Sequence, residues 1–350
     1  MIEQALQSIC DVIQADVGGR GLRTDPKSNL ITATAGDFQA ACRSIAEAPN
    51  PAVAVVTGFY IPNAQPPCGE TDGPLGALFL ARALTEMGIR VHLATDDFCL
   101  PALEIGLAEC GLRRSVQLIT LPLPEHADSR ASSALGYWQR FAQEAGPLTH
   151  LIALERVGPS HLPETLDMAL GPGDDAIRVA FAREAPVSHH HRCHTMRGLD
   201  ITSNQSPAHR LFDFVASQDP RITTIGIGDG GNEIGMGKIP WDVIRQNIPN
   251  GGLVACRVPT DYLIVSGVSN WGAYGLAAGV SLLRGVRLPD DLFGVQRERE
   301  LLRIMVEQGP LVDGVSGQPT VSVDGLPFER YEEPLLQIKN CLAAALGAAR

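Results

Sequence analysis

Residues 52–95, AVAVVTGFYIPNAQPPCGETDGPLGALFLARALTEMGIRVHLAT, carry the clearest fold signal in the sequence. A β-branched apolar run is followed by a long loop, by a helix with one apolar stripe, and by a second β-branched run. Pro74 stands where a first helical residue is expected, and Gly88 supplies the stop before the second strand. The stretch therefore predicts a strand–helix–strand unit with parallel strands.

Further apolar runs extend this pattern along the chain, with helix-like segments between several of them. They lie at residues 116–121, 150–155, 222–228 and 253–258. Short strands that alternate with helices indicate a largely parallel sheet covered on both faces. The predicted fold class is α/β: a three-layer, mainly parallel, doubly wound sheet with inserted loops or a small subdomain. We expect a single domain over residues 1–350, in which segment 159–221 is a candidate lid or insertion.

Composition and charge narrow the function classes. No apolar stretch reaches the roughly 20 residues that span a bilayer, and 39 acidic against 28 basic residues oppose contact with nucleic acid or an anionic membrane surface. The eight cysteines show no CxxC spacing, which favours reduced thiols over a zinc knuckle or a redox pair. The N-terminal segment MIEQALQSICDVIQ carries acidic residues, unlike a secretory signal. We expect a cytoplasmic protein with a small-molecule ligand.

Acidic side chains follow the ends of several predicted strands. Ligands of open α/β sheets bind beyond the carboxyl ends of the strands, so parallel strands would gather these carboxylates at one edge. Acidic residues at strand ends also commonly cap the following helix, and this alternative stays open for each of them. The acidic residues at these positions are Glu70, Asp72, Asp96, Asp97, Glu155 and Asp229.

The segment TIGIGDGGNEIGMGK, residues 224–238, follows one of these strands and contains a G-x-G-x-x-G spacing. Asp229 and Glu233 would repel a pyrophosphate, which argues against a dinucleotide fingerprint. The remaining interpretation is a tight turn that presents Asp229, Asn232 and Glu233 inward, as oxygen ligands for Mg²⁺ or Mn²⁺. The alternative is a structural glycine turn whose acidic residues face water.

Several motifs in a fixed order resemble the D-glutamate cyclase family, specifically its C-terminal-like domain. They are ETDGPLGA (70–77), IALERVGP (152–159), TMRGLDIT (195–202), TIGIGDGGNEIGMG (224–237) and VSNWGAYGLAAG (268–279). The closing segment GVSGQPTVSVDGLPFE (314–329) is similar as well. The resemblance implies a hydro-lyase that converts D-glutamate reversibly to 5-oxo-D-proline by intramolecular amide formation. In animal members of the family this domain follows a second domain.

That reaction needs an electrophilic γ-carboxylate and carriers for two protons. A divalent metal, Mn²⁺ or Mg²⁺, would polarise the carboxylate. Asp72 is the candidate for a general base that takes a proton from the amine and later, as an acid, protonates the leaving oxygen, and Glu70 is the alternative base. The candidate metal ligands are Glu70, Glu155, Asp229, Asn232 and Glu233.

The substrate of such an enzyme is an amino dicarboxylate, so fixed cations are expected. Arg156 and Arg197 are candidates because guanidinium binds carboxylate in a bidentate manner. Arg20, in the glycine loop DVGGRGLRTD, and Ser269 and Asn270, before an Ala/Gly-rich helix, complete the predicted substrate site. The alternative for any single arginine is a surface ion pair.

Other functions stay open at this stage. The run SHHHRCH (188–194), with His189–His191, favours an exposed loop over a metal site because no matching ligand pair follows. A metal-dependent hydrolase that opens 5-oxoproline, a phosphate- or nucleotide-binding enzyme, and a non-catalytic binding protein for acidic metabolites are the alternatives. A homo-oligomer is compatible with all of them.

Overall fold

The computed structural model describes residues 2–123, 133–168, 170–171 and 173–347. The strands in this part of the chain are β1 (Ala52–Thr57), β2 (Tyr60–Ile61), β3 (Cys68–Gly69), β4 (Arg90–Thr95), β5 (Gln117–Thr120), β6 (His150–Leu154), β7 (Thr223–Gly228), β8 (Tyr262–Val265), β9 (Ser322–Val323) and β10 (Leu326–Pro327).

Helices lie between and after these strands. They are α1 (Ile2–Ile13), α2 (Leu30–Ala33), α3 (Asp37–Glu47), α4 (Pro74–Glu86), α5 (Leu100–Glu109), α6 (Ala134–Ala145), α7 (Pro163–Asp167), α8 (Asp175–Glu184), α9 (His209–Gln218), α10 (Trp241–Asn247), α11 (Gly251–Val254), α12 (Ser269–Arg284), α13 (Val295–Gln308), α14 (Phe328–Tyr331) and α15 (Glu333–Gly347).

Six strands form one parallel sheet in the order β5-β4-β1-β6-β7-β8. Counted along the chain within this sheet, the order is 3-2-1-4-5-6, which is a doubly wound arrangement. The order reverses between β1 and β6, where Val53 of β1 pairs with Val91 on one side and with His150 on the other. Ligands of such sheets bind at this reversal, beyond the carboxyl ends of the strands.

Helices cover both faces of the sheet, so the predicted three-layer α/β fold is confirmed. Val53 and Val55 of β1 belong to one core cluster, with α1, α3, α4, α5, α12, α13 and α15. Ala54 and Val56 belong to the other cluster, with α6, α7, α8, α9 and α10. Successive strand residues point to opposite faces, which explains why β1 is a continuous apolar run.

The helices α4 and α12 pack closely because small residues face each other. A Cβ atom added to Gly76 of α4 would lie 2.6 Å from Asn270 Oδ1, and one added to Gly272 of α12 would lie 2.5 Å from Ile227 Cγ2. Glycine at these two positions lets α12 approach both α4 and the sheet. The N-termini of both helices thereby meet at the carboxyl edge of the sheet.

The run at residues 253–258 was expected as a strand, and this prediction is wrong. Residues Gly251–Val254 form the short helix α11, Cys256 makes only an isolated bridge, and the strand that joins the sheet is Tyr262–Val265. A short apolar run carries no periodicity that separates a buried helix turn from a buried strand. The strands β5, β6 and β7 begin and end within one residue of the predicted runs.

Segment 159–221 holds α7, α8 and α9 together with two short 3₁₀ turns. Its residues 195–197 and 199 line the cavity described below. Its role as a lid and the single-domain organisation of residues 1–350 stay predictions. All eight cysteines are free thiols. None of the helices in the described ranges is long and apolar enough to cross a membrane.

Candidate functional site

A cavity of about 400 Å³ lies at the carboxyl edge of the sheet, beside the reversal of strand order. Charged residues from distant parts of the chain line it, among them Arg20, Glu70, Glu155, Asp229 and Asp324. Apolar side chains such as Phe59 and Val315 complete the wall. The cavity therefore combines buried charge with an apolar surface, as small-ligand sites do.

Three buried carboxylates lie close together, and two of them, Glu155 and Asp229, line this cavity. Asp72 lies between β3 and α4, Glu155 follows β6 directly, and Asp229 follows β7 directly. One carboxylate oxygen from each lies within 4.8 Å of those of the other two, and all three residues are buried. Because β1, β6 and β7 are parallel neighbours, their carboxyl ends bring these side chains together.

Glu155 has an unusual backbone conformation. Its φ angle is +44°, a left-handed value that costs a non-glycine residue about 1–3 kcal/mol and is often found at functional sites. Its N–H donates to Ile227 O at 3.1 Å, and its Oε2 accepts a hydrogen bond from Ser269 Oγ at 2.5 Å. The first contact ties Glu155 to β7, and the second orients its carboxylate.

Asp72 and Asn270 cap each other's helices. Asp72 accepts hydrogen bonds from the backbone N–H groups of Ser269 (2.9 Å) and Asn270 (2.8 Å), at the start of α12. Asn270 Oδ1 accepts from the N–H groups of Gly73 (2.9 Å) and Gly76 (2.7 Å), at the start of α4. Backbone donors are thus satisfied at both helix N-termini, and Asp72 is held firmly beside Glu155 and Asp229.

Burial and mutual repulsion act on the acidic side chains of the cavity. Burial raises the pKa of Glu70, Asp72, Glu155 and Asp229 well above the usual carboxyl range. The nearby carboxylate of Asp324 raises the pKa of Glu70 and Asp72 further. A bound cation would favour the charged forms of these groups and lower their pKa values again.

The guanidinium of Arg20 lies between the acidic side chains of Asp229 and Asp324. Its Nη1 lies 3.3 Å from Asp229 Oδ1, and its Nη2 lies 2.5 Å from Asp324 Oδ1. The carboxylate of Asp16 accepts the backbone N–H groups of Arg20 (2.7 Å), Gly21 (2.9 Å) and Leu22 (3.1 Å). The glycine loop is thereby ordered, and Arg20 faces the cavity.

Asp324 is a residue of the cavity that the sequence analysis did not identify. It occupies the two-residue turn between β9 and β10, with φ values of +56° at Asp324 and +74° at Gly325. An Asp-Gly pair between alternating residues is a strong hairpin signal, so the turn could have been predicted from VSVDGLP. The position of Asp324 beside Arg20 could not have been predicted, because it depends on contacts between residues far apart in sequence.

The glycine-rich turn carries two carboxylates with different contacts. That of Asp229 faces the cavity, and that of Glu233 accepts hydrogen bonds from the backbone of the turn. Glu233 Oε1 accepts from the N–H groups of Asp229 (2.9 Å) and Gly230 (2.6 Å), and Oε2 accepts from Gly231 (2.7 Å). Asn232 lines the cavity and donates from Nδ2 to His194 O at 2.7 Å. Both carboxylate oxygens of Glu233 thus accept hydrogen bonds from the backbone of the turn, which fixes the position of Asp229.

The two arginines predicted from motifs lie in different surroundings. Arg156 is fully buried, forms an ion pair with Asp96, and donates to Gly58 O (3.0 Å) and Ser206 O (2.9 Å). It is not among the described residues that line the cavity. Arg197 does line the cavity, and it donates to Val315 O at 3.0 Å. The structure therefore brings Arg197 to the site and places Arg156 behind it.

The donor set fits a divalent cation. In the described part of the chain, the buried Oδ2 of Asp229 has no hydrogen-bond partner, although it lies among other carboxylates. Hard oxygen donors of this kind are preferred by Mg²⁺ and Mn²⁺. The metal-compatible group found among the described residues contains no histidine. His189 and His194 instead contact each other, with 3.0 Å between Nδ1 and Nε2.

Open α/β sheets bind small ligands in a crevice at the strand-order reversal, and the buried carboxylates lie beside this position. A sequence model described as "D-glutamate cyclase-like, C-terminal" matches residues 9–169 and 176–339. The chain belongs to this family.

The chain is also similar to a human protein whose name states an activity. The chain is 28% identical over 306 residues to the human protein named "D-glutamate cyclase, mitochondrial". The match covers 81% of this chain and 44% of the human protein, so the chain spans less than half the length of that relative.

Proposed function

We propose that this protein is a lyase that converts D-glutamate reversibly to 5-oxo-D-proline and water, assisted by Mn²⁺ or Mg²⁺. The observation that carries the proposal is the buried group of Asp72, Glu155 and Asp229, which opens on a cavity that two arginines also line. The name of the human relative supports the choice of substrate.

The reaction forms the bond between the α-nitrogen and C5 and breaks one C5–O bond. Both protons that leave the nitrogen end on the departing oxygen, which becomes water. A carboxylate is a poor electrophile, and a divalent cation held by Asp72, Glu155 and Asp229 would polarise it. Glu233 and Ser269 would act by positioning Asp229 and Glu155 through the hydrogen bonds described above.

Arg20 and Arg197 would bind the substrate carboxylates, because both line the cavity and guanidinium matches a carboxylate in geometry and charge. The apolar wall with Phe59, Ile61 and Val315 would pack against the two methylene groups and exclude water. The cavity therefore offers both the charges and the apolar contact that a bent glutamate chain needs.

Glu70 and Asp72 are the proposed proton carriers, and their surroundings differ. Asp72 accepts backbone hydrogen bonds from Ser269, Asn270 and Gly73, which fix its carboxylate and partly offset the rise in its pKa that burial causes. Glu70 lines the cavity, and burial raises its pKa well above the usual carboxyl range. These surroundings support Glu70 as the acid that protonates the leaving oxygen.

The biological setting stays a prediction from the sequence. We propose a cytoplasmic protein without nucleic-acid or membrane partners, and a homo-oligomer is compatible with the fold. The human relative is named as a mitochondrial protein. Fractionation of cells that express the chain, together with size-exclusion chromatography of the purified protein, measures both properties.

The proposal is tested by incubating the full chain with D- or L-glutamate, with and without Mn²⁺ or Mg²⁺, and separating the products on a chiral column. We expect 5-oxo-D-proline from D-glutamate only when metal is present. The charge-conserving variant Arg197→Lys should raise KM for D-glutamate, because an ammonium group replaces the planar guanidinium that can bind a carboxylate through two hydrogen bonds. Saturable binding of D-glutamate without product would instead indicate a binding protein. A rise in melting temperature on addition of ATP with Mg²⁺ would indicate a nucleotide site.

A further inference from the structure

The cavity contains one carboxylate that belongs neither to the proposed metal group nor to the proposed proton carriers, that of Asp324. Its Oδ1 contacts Arg20 Nη2 at 2.5 Å, and its side chain is only 6% exposed. Within the described ranges, its buried Oδ2 has no hydrogen-bond partner. Asp324 also lines the cavity. A buried acceptor without a donor is unfavourable, so this oxygen is suited to a ligand that brings an N–H group.

Asp324 stands apart from the metal-compatible group. That group of described residues comprises Asp72, Glu155 and Asp229 and does not include Asp324. The guanidinium of Arg20 contacts both Asp229 and Asp324 and so lies between them. Asp324 is therefore placed to contact a ligand beside the metal group, on the other side of Arg20.

The turn that carries Asp324 is held in place by its surroundings. Asp313 Oδ2 accepts from Gly325 N–H at 2.8 Å and from Ser322 Oγ at 2.9 Å. Thr71 Oγ1 donates to Ser322 O at 2.9 Å, which ties the hairpin to the loop that holds Glu70 and Asp72. Asp324 is thus fixed relative to the metal group before any ligand binds.

The charges of the cavity match an amino dicarboxylate and not a simple dicarboxylate. Four carboxylates (Glu70, Glu155, Asp229, Asp324) and two arginines (Arg20, Arg197) line it. The arginines suit the two carboxylates of the proposed substrate, while its ammonium group needs a buried anionic acceptor. We infer that Asp324 Oδ2 binds the α-ammonium group of the substrate and thereby selects amino dicarboxylates. This inference rests on the proposed function.

The test compares D-glutamate with glutarate, which has the same two carboxylates and no amine. Calorimetry on the full chain with Mn²⁺ should show tighter binding of D-glutamate than of glutarate. Asp324→Asn keeps the left-handed turn, since asparagine tolerates positive φ. It should weaken D-glutamate binding roughly 10- to 100-fold, as expected for loss of a charged hydrogen bond. It should not weaken glutarate binding, because loss of the Asp324 charge leaves Arg20 freer to bind a carboxylate. Asp324→Gly, which also fits the turn, should give the same pattern.

Two controls separate this inference from other outcomes. Asp290→Asn, at an exposed position, should bind both ligands like the wild type. Mn²⁺ affinity should not be lower in Asp324→Asn than in the wild type, because Asp324 is not one of the proposed ligands. Equal weakening of both ligands, or weaker Mn²⁺ binding, would overturn the inference. Wild-type behaviour of both Asp324 variants, with D-glutamate turned over normally, would overturn it and leave the proposed function intact. Absence of any D-glutamate binding by the wild type would overturn both.

Discussion

At the scale of single residues, Glu155 and Arg156 show why neighbours in a motif take different roles. The motif IALERVGP places them side by side, and the sequence analysis assigned both to the site. Both follow β6 directly, and the left-handed φ of Glu155 takes the backbone out of the extended conformation between the two side chains. Glu155 lines the cavity, whereas Arg156 contacts Asp96 and Ser206 behind it.

Arg156→Lys should therefore change stability and not substrate binding. Lysine keeps the charge opposite Asp96 but cannot reproduce the contacts of the planar guanidinium with Gly58 and Ser206, and leaving such buried acceptors unpaired costs roughly 1–3 kcal/mol. Urea unfolding should show this loss, while KM for D-glutamate stays the same. The exposed Arg221→Lys should leave both quantities unchanged. A raised KM with full stability would restore Arg156 to the substrate site.

The candidate site could be predicted in part from single residues. Glu70, Asp72, Glu155 and Asp229 were identified because acidic residues after parallel strands must lie at one edge of the sheet. Asp324 was missed because its hairpin reaches the site from the far end of the chain. Contacts of this kind depend on tertiary packing, which no local pattern records.

At the scale of elements, α4 and α12 are joined by the reciprocal caps. Asn270 Oδ1 accepts two N–H groups at the start of α4, and its Nδ2 donates to Thr71 O at 3.2 Å. The SNWG motif is thus explained by helix capping and close packing, in addition to its nearness to the cavity. The strand wrongly predicted at 253–258 also concerns a single element. Its residue types do not distinguish a short buried helix from a strand, because a short apolar run has no clear periodicity.

Asn270→Ala should destabilise the fold by about 1–3 kcal/mol, because buried N–H groups of Gly73 and Gly76 lose their acceptor. The measurement is equilibrium unfolding in urea. Asn340→Ala is the matched control, since Asn340 is exposed on helix α15, and it should cause no loss. Equal stability of Asn270→Ala and the wild type would show that water replaces the side chain and that the caps contribute nothing.

At the scale of the whole molecule, the buried acids predict an unusual dependence of stability on pH. Burial and the neighbouring Glu233 raise the folded-state pKa of Glu155 above that of the unfolded chain. Folding therefore takes up protons, and the metal-free protein loses stability as pH rises from the ordinary carboxyl range upward. The penalty is absent at low pH, where Glu155 is protonated in both states.

Glu155→Gln removes this charge at every pH and should be more stable than the metal-free wild type at pH 8. The difference should shrink as pH falls towards the ordinary carboxyl pKa of about 4. Thermal unfolding across this range measures it, with the exposed Glu104→Gln as a control without such a trend. A difference that is constant with pH, or that grows on acidification, would contradict the assignment of a raised pKa.

The overall architecture was predictable because alternating strands and helices allow few arrangements. Their sequence spacing indicated a parallel sheet with helices on both faces. The order of the strands was not predictable, since it depends on which helix crosses to which face. That order places β1, β6 and β7 together and so creates the acidic group.

The central claim is that Asp72, Glu155 and Asp229 hold the divalent cation with which this chain cyclises D-glutamate. The most direct measurement is a Mn²⁺ titration of wild-type and Asp229→Asn protein that follows both metal binding and formation of 5-oxo-D-proline. In the wild type, both signals should rise together and saturate. Asp229→Asn should bind Mn²⁺ at least roughly tenfold more weakly and lose turnover in parallel. Equal Mn²⁺ binding and equal turnover in the two proteins would contradict the account.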